Sequence, residues 1–229
     1  MDSEQLRLGR LGAGLTQVRA AARLRVSQPY LSQLERGRRL VTVRLARTAA
    51  KVYRLSPTTL PVPSEPPRAP AGVDRLARQL ATLGYPGYSH LRLSPPVNPA
   101  RLVLDAVSQD NLDARVAEAL PWVLLQYADL DWGWLVSNTK LRNLQNRLGF
   151  LVGLAAELAE RRAQRSAGEA RLKEVENDLE RARLAAETTL GREAMPPTER
   201  AWLRANRPPR ARHWNVLTTL TAGQLIYAA

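Results

Sequence analysis

The chain has 229 residues, of which 45% are hydrophobic and 24% are charged, and its formal net charge is +13. This length and composition allow a buried core in one large domain or two small ones, which excludes a disordered tail. The chain contains no cysteine, so disulfides, a thiolate nucleophile and a zinc site with cysteine ligands are excluded as well.

Neither the opening residues nor the apolar stretches of the sequence indicate export or a membrane-spanning helix. The opening residues MDSEQLR lack the basic and then apolar pattern of an export signal. The longest apolar-rich stretch, residues 148–159, is too short to span a bilayer. We therefore expect a soluble protein of the cytoplasm, without a membrane partner.

Residues 15–37 predict two short helices joined by a tight turn. Thr16 and Ser27 each stand just before a helical segment, where a hydroxyl can accept a hydrogen bond from a backbone N–H of the first turn. The apolar residues of the segment fall on one inner face, made by Leu24, Val26, Leu31 and Leu34. A unit of this kind can enter the major groove of DNA.

The outward side chains of the second helix would then be polar groups that suit base edges and phosphates. Glutamine can form two hydrogen bonds with adenine, and such a pair discriminates against a wrong base by roughly 1–3 kcal/mol. Gln28 and Gln33 are therefore the predicted base readers. Arginines around a helix-ending Gly37 should lie near phosphates and position the domain. The predicted DNA-binding residues are Gln17, Ser27, Gln28, Tyr30, Ser32, Gln33, Arg36, Arg38 and Arg39.

One sequence motif runs through this region: LTQ at 15–17, VSQ at 26–28 and YLSQLE at 30–35, with Ala21 and Gly37. Through it, residues 5–60 resemble the Xre/Cro/cI family of helix-turn-helix DNA-binding domains. The resemblance implies five helices, the fourth opened by Thr42 and the fifth lying within 55–60. It also implies a partly buried ion pair between Arg10 and Glu35, and a Gln17 that caps its helix or contacts a phosphate.

Two departures from the family pattern concern the second helix and the turn. Arg19 and Ala20 replace the usual acidic and large apolar pair. Arg25 occupies the turn position where glycine normally supplies a positive φ, at a cost on the order of 1 kcal/mol. We interpret the turn as tolerating this residue.

Positive charge is concentrated in the same region. Residues 1–60 contain twelve Lys or Arg against three acids, a net charge of +9. Binding to a polyanion releases condensed counterions, so binding to double-stranded DNA should depend steeply on salt. Because one such unit touches few bases, we expect a homodimer on a palindromic operator with half-sites about one helical turn apart.

A proline-rich stretch at 61–72 predicts an extended spacer, which gives three segments: a helix-turn-helix domain at 1–60, a linker at 61–72 and a helical domain at 73–229. Strand signals are almost absent, so the predicted fold is all-α, with one long helix in a C-terminal bundle. Residues 102–160 have a net charge of −4 from eight acids and four bases. This stretch is not suited to DNA.

The predicted bundle has four features whose roles the local pattern alone does not fix. Trp122, Trp132 and Trp134 are interpreted as core or interface anchors rather than a ligand cage, and Gly149 and Gly153 as sites of close helix packing. The predicted long helix, 169–190, could form a parallel coiled-coil dimer, fold back on the bundle or stay solvated. The basic and aromatic tail at 197–217 could bind nucleic acid or a partner, or dock on the bundle.

No pattern of catalytic residues is present. His90 and His213 are the only histidines, and their spacing gives no metal site. Asp129 and Asp131 could form an acid and base pair, but helix capping explains them better and no nucleophile accompanies them. We therefore expect a chain that is not an enzyme and that has no cofactor and no metal.

A second set of motifs lies at ALPW (119–122), YADLDW (127–132) and LQNRLGF (144–150). Through these and the tail at 202–214, the chain is similar to helix-turn-helix antitoxins paired with a nucleotidyltransferase-type toxin. This resemblance implies an operon autorepressor whose helical domain neutralises an enzyme partner. Two alternatives are a ligand-sensing regulator without a protein partner, and a scaffold or enzyme subunit targeted to DNA.

Overall fold

The computed structural model describes residues 1–62, 72–161 and 167–225, so most of the predicted linker lies outside the described residues. Within these ranges the chain has twelve α-helices and two strands of two residues each, which confirms the all-α prediction. The chain divides into two compact units. The first comprises Met1–Ser64 with Pro96–Asn98, and the second comprises Glu65–Pro95 with Pro99–Ala229.

The first unit is built from four helices and a final 3₁₀ turn: α1 (Ser3–Gly12), α2 (Gln17–Leu24), α3 (Gln28–Glu35), α4 (Val43–Tyr53) and the turn Pro57–Thr59. The predicted caps are confirmed, because Thr16, Ser27 and Thr42 each accept a 3.3 Å bond from the backbone N–H three residues later. The predicted fifth helix is only that 3₁₀ turn, which Ser56 caps.

The turn between α2 and α3 has the backbone that the family pattern requires. Arg25 ends α2 at φ 57° and ψ 44°, the left-handed conformation predicted for this position. The inner face is closed, since Leu24, Leu31 and Leu34 lie in one core with Leu6 of α1. The helices of the motif are therefore fixed against α1 by apolar packing.

The second unit surrounds one buried helix. Its helices are α5 (Val73–Thr82), α6 (Pro99–Val107), α7 (Ala114–Gln126), α8 (Trp132–Lys140), α9 (Gln145–Arg161), α10 (Ala167–Glu180), α11 (Pro197–Asn206) and α12 (Pro209–His213). The strands β1 (Thr188–Thr189) and β2 (Val216–Leu217) pair in parallel. α9 is buried along nearly all of its length and packs against α7, α8, α10 and α12. Trp122 and Trp132 are buried, as expected of core anchors, and Trp134 is half-buried.

The predicted long helix at 169–190 is wrong in length. α10 ends at Glu180, and its buried residues Leu172, Val175 and Leu179 pack it back against α9. Side chains of α9 replace the helical hydrogen bonds beyond that point. Gln145 donates to the carbonyl of Ala182 at 3.0 Å, and Asn146 pairs with both the N–H and the carbonyl of Leu184, at 2.8 and 2.9 Å. The chain then continues into β1 instead of a further helical turn.

Arg147, one residue further along α9, fixes the segment that follows. Its side chain is buried, and Nη1 donates to the carbonyls of Val107 and Gln109 at 2.8 and 2.9 Å. Nε donates to the hydroxyl of Thr188, and Nη2 pairs with Glu193. One guanidinium thus ties the end of α6 to β1 and to the loop after it.

The C-terminal tail docks on α9, which was the simpler of its predicted roles. A Cβ added at Gly149 would lie 2.3 Å from Cζ3 of Trp214, and one added at Gly153 would lie 2.2 Å from Nη1 of Arg210. The two glycines therefore allow close packing, as predicted. Trp214 is fully buried there, and Arg210 Nη1 pairs with Glu176 at 2.6 Å.

Candidate nucleic-acid interface

The second helix of the motif, α3, has one buried face and one outward face. Leu31, Leu34 and Glu35 are buried. The predicted DNA-binding residues lie on the accessible side, with Ser27, Gln28, Arg36, Arg38 and Arg39 exposed and with Gln17, Tyr30, Ser32 and Gln33 partly exposed. The arrangement leaves amides, hydroxyls and guanidinium groups accessible on one side of the first unit.

The ion pair expected between Arg10 and Glu35 is present under this surface. Arg10 Nε lies 2.7 Å from Glu35 Oε1 and Nη2 lies 3.0 Å from Oε2, a two-bond arrangement that joins α1 to α3. The two side chains are 9% and 2% exposed. Arg10 Nη1 also donates to the carbonyl of Leu15 at 2.9 Å, so the same side chain holds the start of the motif.

The ionisation of Glu35 reflects two opposing causes. Burial raises the pKa of its carboxyl, but hydrogen bonds from Arg10 and Gln17 together with the Arg10 charge outweigh burial and lower that pKa below its ordinary value. The nearby Tyr53 hydroxyl is buried, and burial raises its pKa to about 12. Glu35 therefore stays ionised at neutral pH and keeps the pair charged.

Gln17 connects this pair to the outward face. Its Nε2 donates to Glu35 Oε2 at 2.9 Å, and its Oε1 accepts a 2.9 Å bond from Gln28 Nε2. The amide predicted to cap a helix or contact a phosphate is thus placed between the buried carboxylate and one predicted base reader. Sequence reasoning missed this relay, because its bonds span 11 and 18 residues and no short motif encodes them.

A second relay lies near the other end of α3. Arg39 Nε donates to Gln33 Oε1 at 2.7 Å, and Arg39 Cζ lies 5.4 Å from the centroid of the Tyr30 ring. Gly37 has φ 71°, the left-handed value predicted for it, and the chain turns there. Arg39, predicted to position the domain at phosphates, is therefore bonded to the second predicted reader.

Two other kinds of site, a metal centre and a membrane-spanning helix, are not found in the part of the chain that the structure describes. Among residues 1–62, 72–161 and 167–225, no three or more His, Asp or Glu side chains are grouped so that they could hold a metal ion. In the same ranges, no helix combines the length and the apolar character needed to cross a membrane.

Comparison with known proteins bears on the first unit. A family model described as a helix-turn-helix domain matches residues 3–61. No curated protein and no solved structure matches the chain. Residues 3–61 are therefore a helix-turn-helix domain of the Xre-like type found in DNA-binding regulators.

Proposed function

We propose that the protein is a transcriptional repressor that reads a palindromic operator as a homodimer, controls its own operon and serves as an antitoxin. The observation that carries the DNA-reading part is the outward face of α3, where Gln28 and Gln33 are accessible within a domain of net charge +9. Amide groups suit base edges, and a positive domain suits the phosphate backbone.

The rigidity of α3 supports base reading in particular. Ser27 caps its first turn, Leu31 and Leu34 bury its inner face completely, and Glu35 ties it to α1. A reader held on a fixed helix presents its amide in one place, so a single base can be favoured at that position. The exposed arginines after α3 then need only to set the register of the domain on the duplex.

Replacing Gln33 or Arg38 by Ala should separate reading from positioning. Gln33→Ala is expected to relax base preference at one position of each half-site, since a bidentate contact is worth roughly 1–3 kcal/mol of discrimination. Arg38→Ala is expected to weaken binding to all sequences alike and to reduce the salt slope by about one unit. Fluorescence anisotropy on operator and scrambled duplexes between 50 and about 200 mM salt measures both effects.

The matched control is Arg92→Ala, which removes an exposed arginine of the second unit and should leave both readouts unchanged. If Gln33→Ala and Arg38→Ala behaved identically, the assigned roles would be wrong. Footprints on a single unrepeated site would argue against the homodimer.

The antitoxin role rests on the resemblance of residues 115–159 and on charge. The stretch 102–160 has a net charge of −4, which complements a partner whose site takes nucleic acid or nucleotide phosphates. Trp202 of α11 is 56% exposed, and tryptophan is enriched at protein interfaces.

We further propose that the chain itself catalyses no reaction, needs no cofactor and acts in the cytoplasm. Turnover by the purified chain would contradict the first of these statements.

A cavity in the second unit favours one alternative, a regulator that senses a small ligand. The cavity has a volume of about 570 Å³, within the range of ligand pockets, and is lined by Leu154, Glu157, Glu176, Arg210, His213 and Leu220 among others. Apolar walls with a few charged groups are the usual composition of such pockets.

Purification of the full chain from its host separates the two roles. An antitoxin should emerge with a nucleotidyltransferase in stoichiometric amount, and its melting temperature should drop when the partner is removed. A ligand sensor should emerge alone and lose several degrees of melting temperature on extensive dialysis. Emergence of the chain alone, with no change on dialysis, would contradict both.

A further inference from the structure

We infer that Arg39 determines which base Gln33 reads: it holds the amide oxygen of Gln33 towards its own guanidinium, so that Gln33 presents its NH₂ group to the base and selects guanine. The inference rests on the proposed sequence-specific binding to DNA. It changes the expectation for Gln33, because a free glutamine amide would suit adenine through one donor and one acceptor.

A hydrogen bond from Arg39 sets the orientation of the Gln33 amide. Arg39 Nε lies 2.7 Å from Gln33 Oε1. A guanidinium nitrogen can donate hydrogen bonds but cannot accept them, so chemistry alone requires the oxygen of the amide, not its NH₂ group, to face Arg39. The bond is charge-assisted and short, which makes it stronger than a bond between neutral groups. The amide nitrogen is thereby turned away from Arg39.

Arg39 is itself anchored by the Tyr30 ring. Its guanidinium carbon lies 5.4 Å from the centre of the Tyr30 ring, within the range of a cation–π contact. Tyr30 is partly buried and packs against the core of the first unit. The Arg38 N–H also donates to the Gln33 carbonyl at 2.9 Å, which holds the chain after Gly37 close to the end of α3. Arg39 is thus a positioning residue whose guanidinium is held by both Gln33 and Tyr30.

The four bases differ in the donors and acceptors that they present to an amide in this orientation. In the major groove, guanine presents two acceptors, N7 and O6, and thymine presents one acceptor, O4. Adenine presents an acceptor and a donor, and cytosine presents a donor. An NH₂ group that faces the groove, with its oxygen turned to Arg39, therefore fits guanine best, because guanine alone offers two acceptors.

Gln28 differs from Gln33, because the nitrogen of its amide, and not the oxygen, forms the hydrogen bond to a neighbouring side chain. Its Nε2 donates to Gln17, which leaves its amide oxygen to accept and its second N–H to donate. Gln28 therefore keeps the pattern that suits adenine. Two glutamines on one helix are expected to read different bases because their neighbours hold different ends of the amide.

Selection of the full chain from a library of duplexes with about 20 random base pairs tests the inference, at moderate salt because of the electrostatic contribution. The Gln33 position is the one whose preference disappears in Gln33→Ala. Wild type should prefer guanine there. Arg39→Met removes the donor and keeps a long side chain, so preference at that position should shift about tenfold towards adenine, the size of a single bidentate contact, while the other positions keep theirs.

Two variants of Tyr30 test whether its ring anchors Arg39. Tyr30→Phe keeps the ring and should keep guanine, whereas Tyr30→Leu removes the cation–π contact and should weaken the preference. A wild-type preference for adenine at the Gln33 position, or a motif that Arg39→Met leaves unchanged, would overturn the inference while leaving sequence-specific binding intact. A library in which wild type enriches no sequence would overturn the proposed function and this inference together.

Discussion

Arg10→Met is expected to lower the free energy of unfolding by about 3–5 kcal/mol, the usual cost of breaking a buried ion pair by removing one partner. The reason is that Glu35, whose side chain is only 2% exposed, would keep its charge without a guanidinium to neutralise it. Gln17 would remain as a neutral donor to one carboxylate oxygen. Urea denaturation followed by circular dichroism at neutral pH measures the change.

Two controls make this result specific to the buried pair. Arg47→Met removes an arginine from the exposed face of α4 and should change stability by less than about 0.5 kcal/mol. The double variant Arg10→Met with Glu35→Leu removes both charges and should recover most of the loss, because apolar replacements of a buried pair are often neutral. A double variant as unstable as Arg10→Met would contradict the account.

The pH dependence of the same pair follows from the lowered pKa of Glu35. Because that pKa is lower in the folded state than the ordinary value of 4.5, the pair contributes its full stability above pH 4.5, and this contribution is lost as the pH falls through the folded pKa. In Arg10→Met the carboxyl has lost the guanidinium that lowered its pKa, and burial remains. The stability difference between wild type and variant should therefore shrink in acid.

The first unit could be predicted well from sequence because its signals are local. Thr16, Ser27 and Thr42 cap helices that begin at the next residue, and a hydroxyl cap needs only neighbouring backbone. The left-handed positions at Arg25 and Gly37 were also predicted, since the motif fixes where each helix stops. The fifth helix, which is only the 3₁₀ turn Pro57–Thr59, was predicted too long. The hydrogen-bond relays through Gln17 and Arg39 also escaped, because they join side chains that no spacing rule relates.

The second unit was harder to predict because its helix ends are set by distant residues. Leu172, Val175 and Leu179 correctly marked an apolar seam, but the same periodicity continues past Glu180. The helix stops there because Gln145 and Asn146, some 37 residues earlier, bond the backbone of Ala182 and Leu184. Tertiary contacts thus override local helix propensity, which is a weak determinant by itself.

The second large effect concerns Trp214, which is expected to cost about 3–5 kcal/mol of unfolding free energy when replaced by Ala. It is the largest of the fully buried side chains in the described ranges, and its ring lies directly on the backbone of α9 at Gly149. Gly149→Ala should cost about 1–3 kcal/mol, because a Cβ 2.3 Å from the indole forces a fully buried ring to shift. Urea denaturation measures both variants.

The double variant and a second glycine decide whether the tail is held by this one contact. With Trp214→Ala in place, the methyl group of Gly149→Ala enters vacated space. The double variant should therefore lose less unfolding free energy than the sum of the two single losses. Gly153→Ala adds the same methyl group 2.2 Å from Nη1 of Arg210, the end of a long side chain that can move away, and should cost less than Gly149→Ala. Equal costs at the two glycines, or strict additivity with Trp214→Ala, would contradict the role given to the indole. The expected pattern would establish that the tail is part of the core of the second unit.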